Sequence, residues 1–98
     1  MSYPVPLHSL ARAELNESTD YYNEVSADVA SRFLDDFEAT VQSITDNPTS
    51  FLKVTASVHR KAFAVFPFFL FCSVRGGEIR ILAVAHQSRR PFYWSERS

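Results

Sequence analysis

Phe68-Phe69-Leu70-Phe71-Cys72-Ser73-Val74-Arg75-Gly76-Gly77-Glu78-Ile79-Arg80-Ile81-Leu82-Ala83-Val84-Ala85 reads as a single β-hairpin, and the fold follows from it. Aromatic and β-branched residues suit a pleated, half-buried surface. Gly76-Gly77 supplies the two positive φ angles that a two-residue hairpin turn demands. Closing the turn there sets Arg75 opposite Glu78, and strict alternation then fixes every other pair. One face carries Val74, Ile79, Cys72, Ile81, Leu70, Ala83, Phe68 and Ala85. It is wholly apolar and is expected to receive helices. The other pairs Ser73 with Arg80, Phe71 with Leu82, Phe69 with Val84 and Pro67 with His86. That face is apolar in its middle with basic groups at its ends, and a C-terminal segment holding Phe92 and Trp94 has the composition to fold back over part of it.

Working outward, a further β-rich run spans about residues 58 to 65, and Phe66-Pro67 separates it from the hairpin. Residues 3 to 7 suit an N-terminal strand, which Pro4 and Pro6 confine to a sheet edge. Two helices precede the sheet. The first is expected over Ser9 to Val25, capped by Ser9, with Ala11, Leu15 and Tyr22 on one stripe. The second runs from Ala27 to Asp46, capped by Ser26, and its Ala30, Phe33, Leu34, Phe37, Val41 and Ile44 keep the three-four spacing of a buried face. Asn47-Pro48 ends it, because proline cannot continue the ladder. So short a connection makes the helices an antiparallel hairpin. The expected fold class is α+β: a helical hairpin packed on a small antiparallel sheet, one domain over residues 1–98.

Charge is unevenly placed. Residues 1–50 hold two bases, Arg12 and Arg32, against nine acids, a net of −7; residues 51–98 hold eight bases against Glu78 and Glu96, a net of +6. Such asymmetry points either to an anionic partner for the basic half or to acidic helices neutralised by a basic sheet. No apolar run reaches the length of a membrane span and the N-terminus lacks a signal-peptide pattern, so a cytoplasmic location without membrane partners is expected. The single cysteine, Cys72, excludes a disulfide framework and is expected to be a buried thiol. His8, His59 and His86 show no metal-ligand spacing and there is no glycine-rich phosphate loop, so neither metal nor cofactor is expected.

Several segments resemble one known family. Ala11-Arg12-Ala13-Glu14-Leu15, Tyr21-Tyr22 and Arg32-Phe33-Leu34-Asp35 are similar to the helical hairpin of the RelE/ParE superfamily of type II toxins, on its ParE-like side. Asn47-Pro48, Phe66-Pro67 before an aromatic strand, and Leu82-Ala83-Val84-Ala85-His86-Gln87-Ser88-Arg89-Arg90-Pro91-Phe92-Tyr93-Trp94 continue the resemblance in order along the chain. It implies a helical hairpin on a small antiparallel sheet, a cognate antitoxin as partner, and a higher-order toxin–antitoxin complex serving genome or plasmid maintenance. ParE-like members inhibit DNA gyrase by binding, whereas RelE-like members cut mRNA on the ribosome; an inactive, regulatory member is the third reading.

Ribose-directed cleavage needs groups that activate a hydroxyl, stabilise the phosphorane and protonate the leaving group. Arg60, His86 and Arg89 are the candidates for that chemistry. The resemblance also has departures: Phe68, Phe69, Phe71 and Cys72 stand where tyrosines are common, Ala64 and Val65 replace a basic residue before Phe-Pro, and Arg90 stands where an acid often precedes the proline. These lean away from a nuclease. Candidate target contacts are Arg89, Arg90, Tyr93 and Trp94. For the antitoxin, alternation assigns an apolar strip of Phe69, Phe71, Leu82 and Val84, bordered by Arg80 and His86, with Arg60 and Lys61, whose adjacency sends them to opposite faces, on the neighbouring strand.

Overall fold

The computed structural model describes residues 5–47 and 51–97. Helix α1 (Ser9–Val25) buries Ala11 and Leu15 and leaves Tyr22 half-buried against the core. Its cap is His8 rather than Ser9: the His8 Nδ1 accepts the Leu10 N–H at 3.1 Å. A single extended residue, Ser26, closes α1 by donating its N–H to the Tyr22 carbonyl and opens α2 (Ala27–Asp46) by accepting the Val29 N–H on its Oγ at 3.1 Å. With no other residue between them the helices turn back on each other. Helix α2 buries Ala30, Phe33, Phe37, Val41 and Ile44 along the expected stripe, and Asn47 ends it. Pro48, the other half of the expected stop, lies outside the described residues.

Four strands follow in the spatial order of the chain, all antiparallel: β1 (Leu52–Lys53), β2 (Val58–Ala62), β3 (Phe68–Arg75) and β4 (Glu78–His86). The two-residue β1 carries no sequence signal of its own; it lies against Arg60 and His59 of β2. Gly76 and Gly77 make the turn with φ of 58° and 82°, as the hairpin reading requires. On the other side of β4, Ile81 donates to the Pro6 carbonyl at 2.9 Å and accepts from His8 N–H at 2.8 Å, through a parallel bridge to Leu7. The expected N-terminal edge strand is thus a bridge over described residues; Tyr3 and Pro4 lie outside them.

Strand β2 ends at Ala62, three residues earlier than expected, because the next amides have a different acceptor. Asp36, buried on α2, takes the N–H groups of Ala64, Val65 and Phe66 on its carboxylate at 3.1, 2.9 and 2.8 Å. A side chain from the helix layer therefore fastens the turn between two strands.

The hairpin register is correct only as far as Cys72. Arg75 pairs with Glu78, Val74 with Ile79, Ser73 with Arg80 and Cys72 with Ile81, but Phe71 then pairs with Ala83, Leu70 with Val84, Phe69 with Ala85 and Phe68 with His86. Leu82 is the extra residue of a β-bulge, and beyond it the side-chain alternation of β4 is inverted. Val84 consequently joins the helix-facing core with Phe33, Phe37, Phe68, Leu70, Cys72 and Ile81. Ala83 and Ala85, expected under the helices, turn to the far face instead. Leu82 and Ala83 together build a second apolar cluster there, with Val58, Phe71 and Trp94.

Candidate functional site

The far face of the sheet is where the sequence places its candidates, and the bulge decides what is exposed there. Because Leu82 and Ala83 both face that way, they form a shelf that one large side chain can cover. Trp94 does so: it is 3% exposed, with its ring 5.0 Å from that of Phe71. Burying an indole with the leucine beneath it contributes several kcal/mol, at roughly 25 cal/mol per Å² of apolar surface removed from water. The strip proposed as an open partner surface is therefore interrupted. Phe69 and Phe71 remain half-buried on it, Leu82 is 2% exposed beneath the tail, and Val84 is on the opposite side of the sheet.

The tail is also held electrostatically, by Tyr93 together with Glu14 and Arg97, two residues to which the sequence reading gave no role. The bulge turns the Leu82 carbonyl and the Val84 N–H to the open edge of β4. Glu14 of α1 accepts the Val84 N–H on Oε1 at 3.1 Å, while Arg97 donates to the Leu82 carbonyl at 3.0 Å. The two side chains pair with each other through both guanidinium nitrogens, at 2.8 and 3.1 Å, and Tyr93 donates its hydroxyl to Glu14 Oε2 at 2.7 Å. Both charged side chains are almost wholly shielded, at 11% and 13% exposure. Burial first, then the hydrogen bond to Glu14 and its charge, raise the Tyr93 pKa above its ordinary value. The bond to Glu14 is the main reason the Arg97 pKa is raised too.

Two cavities flank the tail and share Phe92 and Trp94 in their walls. One, of about 190 Å³, gathers Arg60, His86, Arg89 and Arg90 with Phe69, Phe71 and Tyr93. Arg60 lies over the Phe69 ring at 4.5 Å and Arg89 over the Tyr93 ring at 4.1 Å, so two guanidinium groups are held in cation–π contact with aromatic faces. The other, of about 390 Å³, includes Ser57, Ser73, Arg75, Arg80 and Leu82. Phe92 between them is 54% exposed and has φ of 60°, the left-handed region that costs a non-glycine residue about 1–2 kcal/mol.

All three candidates for chemistry, Arg60, His86 and Arg89, border the smaller cavity, but His86, expected on the far face, lies past the bulge and shares the helix side of the sheet with its partner Phe68, so its ring turns away from the two arginines. Lys61 is not with them: it pairs with Leu70 and follows it to the helix side. His86 pairs with Phe68, its ring edge-on at 5.2 Å, and its Nδ1 meets Ser88 Oγ at 2.8 Å. Of the candidate target contacts, Arg89 and Arg90 are exposed, whereas Tyr93 and Trp94 serve as anchors of the tail.

A family model described as the ParE toxin of type II toxin–antitoxin systems, parDE, matches residues 5–91. The chain belongs to the ParE toxin family. A solved structure described as the chromosomal ParDE TA system from P. aeruginosa has the same fold, with a TM-score of 0.71 at 19% identity, over 86% of this chain and 95% of that one. No curated protein sequence matches. The family match spans the helical hairpin and the whole sheet and reaches Pro91, so Glu14, Asp36 and Arg60 to Arg90 lie inside it; the tail anchors Tyr93, Trp94 and Arg97 lie beyond. No described helix is long and apolar enough to cross a membrane.

Proposed function

We propose that this ParE-family toxin inhibits growth by binding DNA gyrase, with no bond-making chemistry of its own, and that a cognate antitoxin holds it inactive in a higher-order complex by covering the far face of the sheet. The observation that carries this reading is the make-up of the smaller cavity. Its charged groups are Arg60, Arg89 and Arg90, its floor is aromatic, and no carboxylate lines it. The nearest phenol, Tyr93, spends its hydroxyl on Glu14. Stacked guanidinium groups bind and orient anionic or carbonyl-rich surfaces. They transfer protons poorly, because arginine stays protonated at any physiological pH. An acidic, apolar antitoxin segment complements this face: Phe69, Phe71 and Arg60 offer one cavity, Arg80 the other, and the segment meets Trp94 where Leu82 lies below.

Expression without antitoxin is expected to slow growth, and the purified chain to inhibit supercoiling or trap cleaved DNA. Arg89→Ala with Arg90→Ala is expected to weaken both effects. Failure of the wild-type chain in both gyrase assays removes this target.

A second reading, a ribosome-dependent mRNA endonuclease, rests on Arg60 and Arg89 lining one cavity with His86 at its border. It requires discrete mRNA cuts on ribosomes that vanish in Arg60→Ala and His86→Ala. Intact mRNA in primer-extension mapping during growth arrest excludes it. A chain that arrests growth by neither route fits the regulatory role.

A further inference from the structure

The corner at the end of the β3–β4 pair opposite its turn carries apolar side chains that the fold leaves in water. Tyr21 is 65% exposed, Val25 66% and Val65 79%. They belong to one surface. Tyr21 and Val25 are one helical turn apart on α1, Tyr21 packs edge-on against Tyr22 at 5.3 Å, and Tyr22 against Phe66, the neighbour of Val65, at 5.0 Å. The Val65 loop is held rigid by three amide bonds to the buried Asp36, so the patch is preorganised rather than floppy. Beside it a cleft of about 360 Å³ is lined by Glu17, Ser18, Tyr21, Tyr22, Phe68 and His86. A carboxylate with aromatic rings around a concavity is suited to an arginine side chain, through charge pairing and cation–π contact. Exposed Asp20 and Glu24 extend the negative field along α1.

The complementary surface is on the same chain. Ser88-Arg89-Arg90-Pro91-Phe92 is exposed throughout, with two arginines followed by an apolar pair whose Phe92 stands out in the left-handed region. We propose that the Glu17–Tyr21–Val65 corner receives the Arg89–Phe92 segment of a second copy of this chain, with arginine in the cleft and Pro91–Phe92 on the apolar patch. The contact joins two different surfaces, so it either closes as a two-fold pair in which each copy receives the other's segment, or continues as a ring or an open series. The segment shares Arg89 and Arg90 with the proposed gyrase contact, but self-association of the isolated chain is read without gyrase or antitoxin, so its failure and the failure of that reading are distinguishable.

Sedimentation velocity of the full chain, in a dilution series, tests it. Concentration-dependent species are expected at about 0.1 M salt, weakened about tenfold or more at about 1 M, where the screening length falls from about 10 Å to about 3 Å. Arg89→Glu with Arg90→Glu, and separately Glu17→Arg with Asp20→Arg, are each expected to be monomeric, with circular dichroism unchanged because all four positions are exposed. Mixing these two variants restores opposite charges across the contact and is expected to restore association; Val65→Asp weakens it in either setting. A wild-type chain that stays monomeric at all concentrations, or charge variants that associate alone as well as wild type does, overturns the proposal.

Discussion

Replacing Asp36 tests whether one helix-borne carboxylate fixes the turn between β2 and β3. Its two oxygens receive three backbone N–H groups, from Ala64, Val65 and Phe66, at 2.8 to 3.1 Å. In Asp36→Ala all three donors lose their acceptor at once. An unsatisfied buried donor costs about 1–3 kcal/mol, and these amides are only partly buried, so water repairs some of the loss. The expected destabilisation is about 3–5 kcal/mol. Asp36→Asn keeps the volume and one carbonyl oxygen but points an NH₂ at a donor, and is expected to cost about 2–3 kcal/mol. Set against a domain stability of about 5–15 kcal/mol, either loss is large. At roughly 4–8 °C per kcal/mol for a domain of this size, the alanine variant should melt at least about 12 °C lower. Thermal and urea unfolding followed by far-ultraviolet circular dichroism give the measurement. Variants that both remain within about 0.5 kcal/mol of wild type would refute the reasoning, because they would show the three amides to be adequately hydrated without Asp36.

Leu82→Glu places a carboxylate beneath Trp94, at a position 2% exposed, and is expected to destabilise the fold by several kcal/mol and shift Trp94 fluorescence to the red, rather than merely remove a partner contact. Arg97→Ala leaves Glu14 with Tyr93 and the Val84 amide only; a loss of about 2–3 kcal/mol, with early loosening of Trp94 in a urea titration, is expected, and the Glu14→Gln/Arg97→Ala double-mutant cycle should show strong coupling. Burial pushes the Cys72 thiol from 9.0 up to about 12. The folded chain thus holds that proton more tightly than the unfolded chain. Its stabilising contribution is complete below about pH 9 and is lost as pH rises toward about 12, so native Cys72 should react with a thiol reagent at neutral pH only as fast as the chain opens. Tyr93, raised by burial and by Glu14, follows the same sign: spectrophotometric titration of the wild-type chain against Tyr93→Phe should assign to Tyr93 a phenol ionising well above the ordinary tyrosine range, with stability falling above about pH 10.

The helices were legible to their ends because their signals are local and repeat. The spacing of Ala30, Phe33, Phe37, Val41 and Ile44 has one structural solution, and Ser26 satisfies the same short-range bonds in almost any context. The Gly76-Gly77 turn was legible for a similar reason, since few dipeptides accept two positive φ angles. Asp36 as a staple was not: its partners are about 30 residues away in sequence, and an aspartate in the middle of an acidic helix looks like one more solvated charge. The sharing of Glu14 by Val84, Tyr93 and Arg97 escaped notice for the same reason, because it spans 70 to 83 residues.

The bulge at Leu82 is the case where a local pattern was read correctly and still misplaced residues. Ile81-Leu82-Ala83-Val84-Ala85 is apolar at every position, so either alternation is hydrophobically acceptable and the sequence carries no penalty against slipping by one. What selects the bulge is bonding and packing from both ends of the chain. With it, Val84 enters the helix-side core, Leu82 and Ala83 create a shelf for Trp94, and the Leu82 carbonyl and Val84 N–H reach an edge where Arg97 and Glu14 accept the role of a missing strand. Without it, Val84 would lie on the far face and Ala83 under the helices. The same inserted residue that upsets the strip proposed for the antitoxin thus builds the seat of the tail, and the tail in turn divides the basic face into the two cavities on which partner and target readings depend. Deleting the irregularity, by removing Leu82, should leave Ala83 opposite Phe71 and Val84 still in the core under simple alternation, and should take away the shelf beneath Trp94; a chain lacking Leu82 that keeps native Trp94 emission would show that the tail is held by the Glu14–Arg97 pair alone.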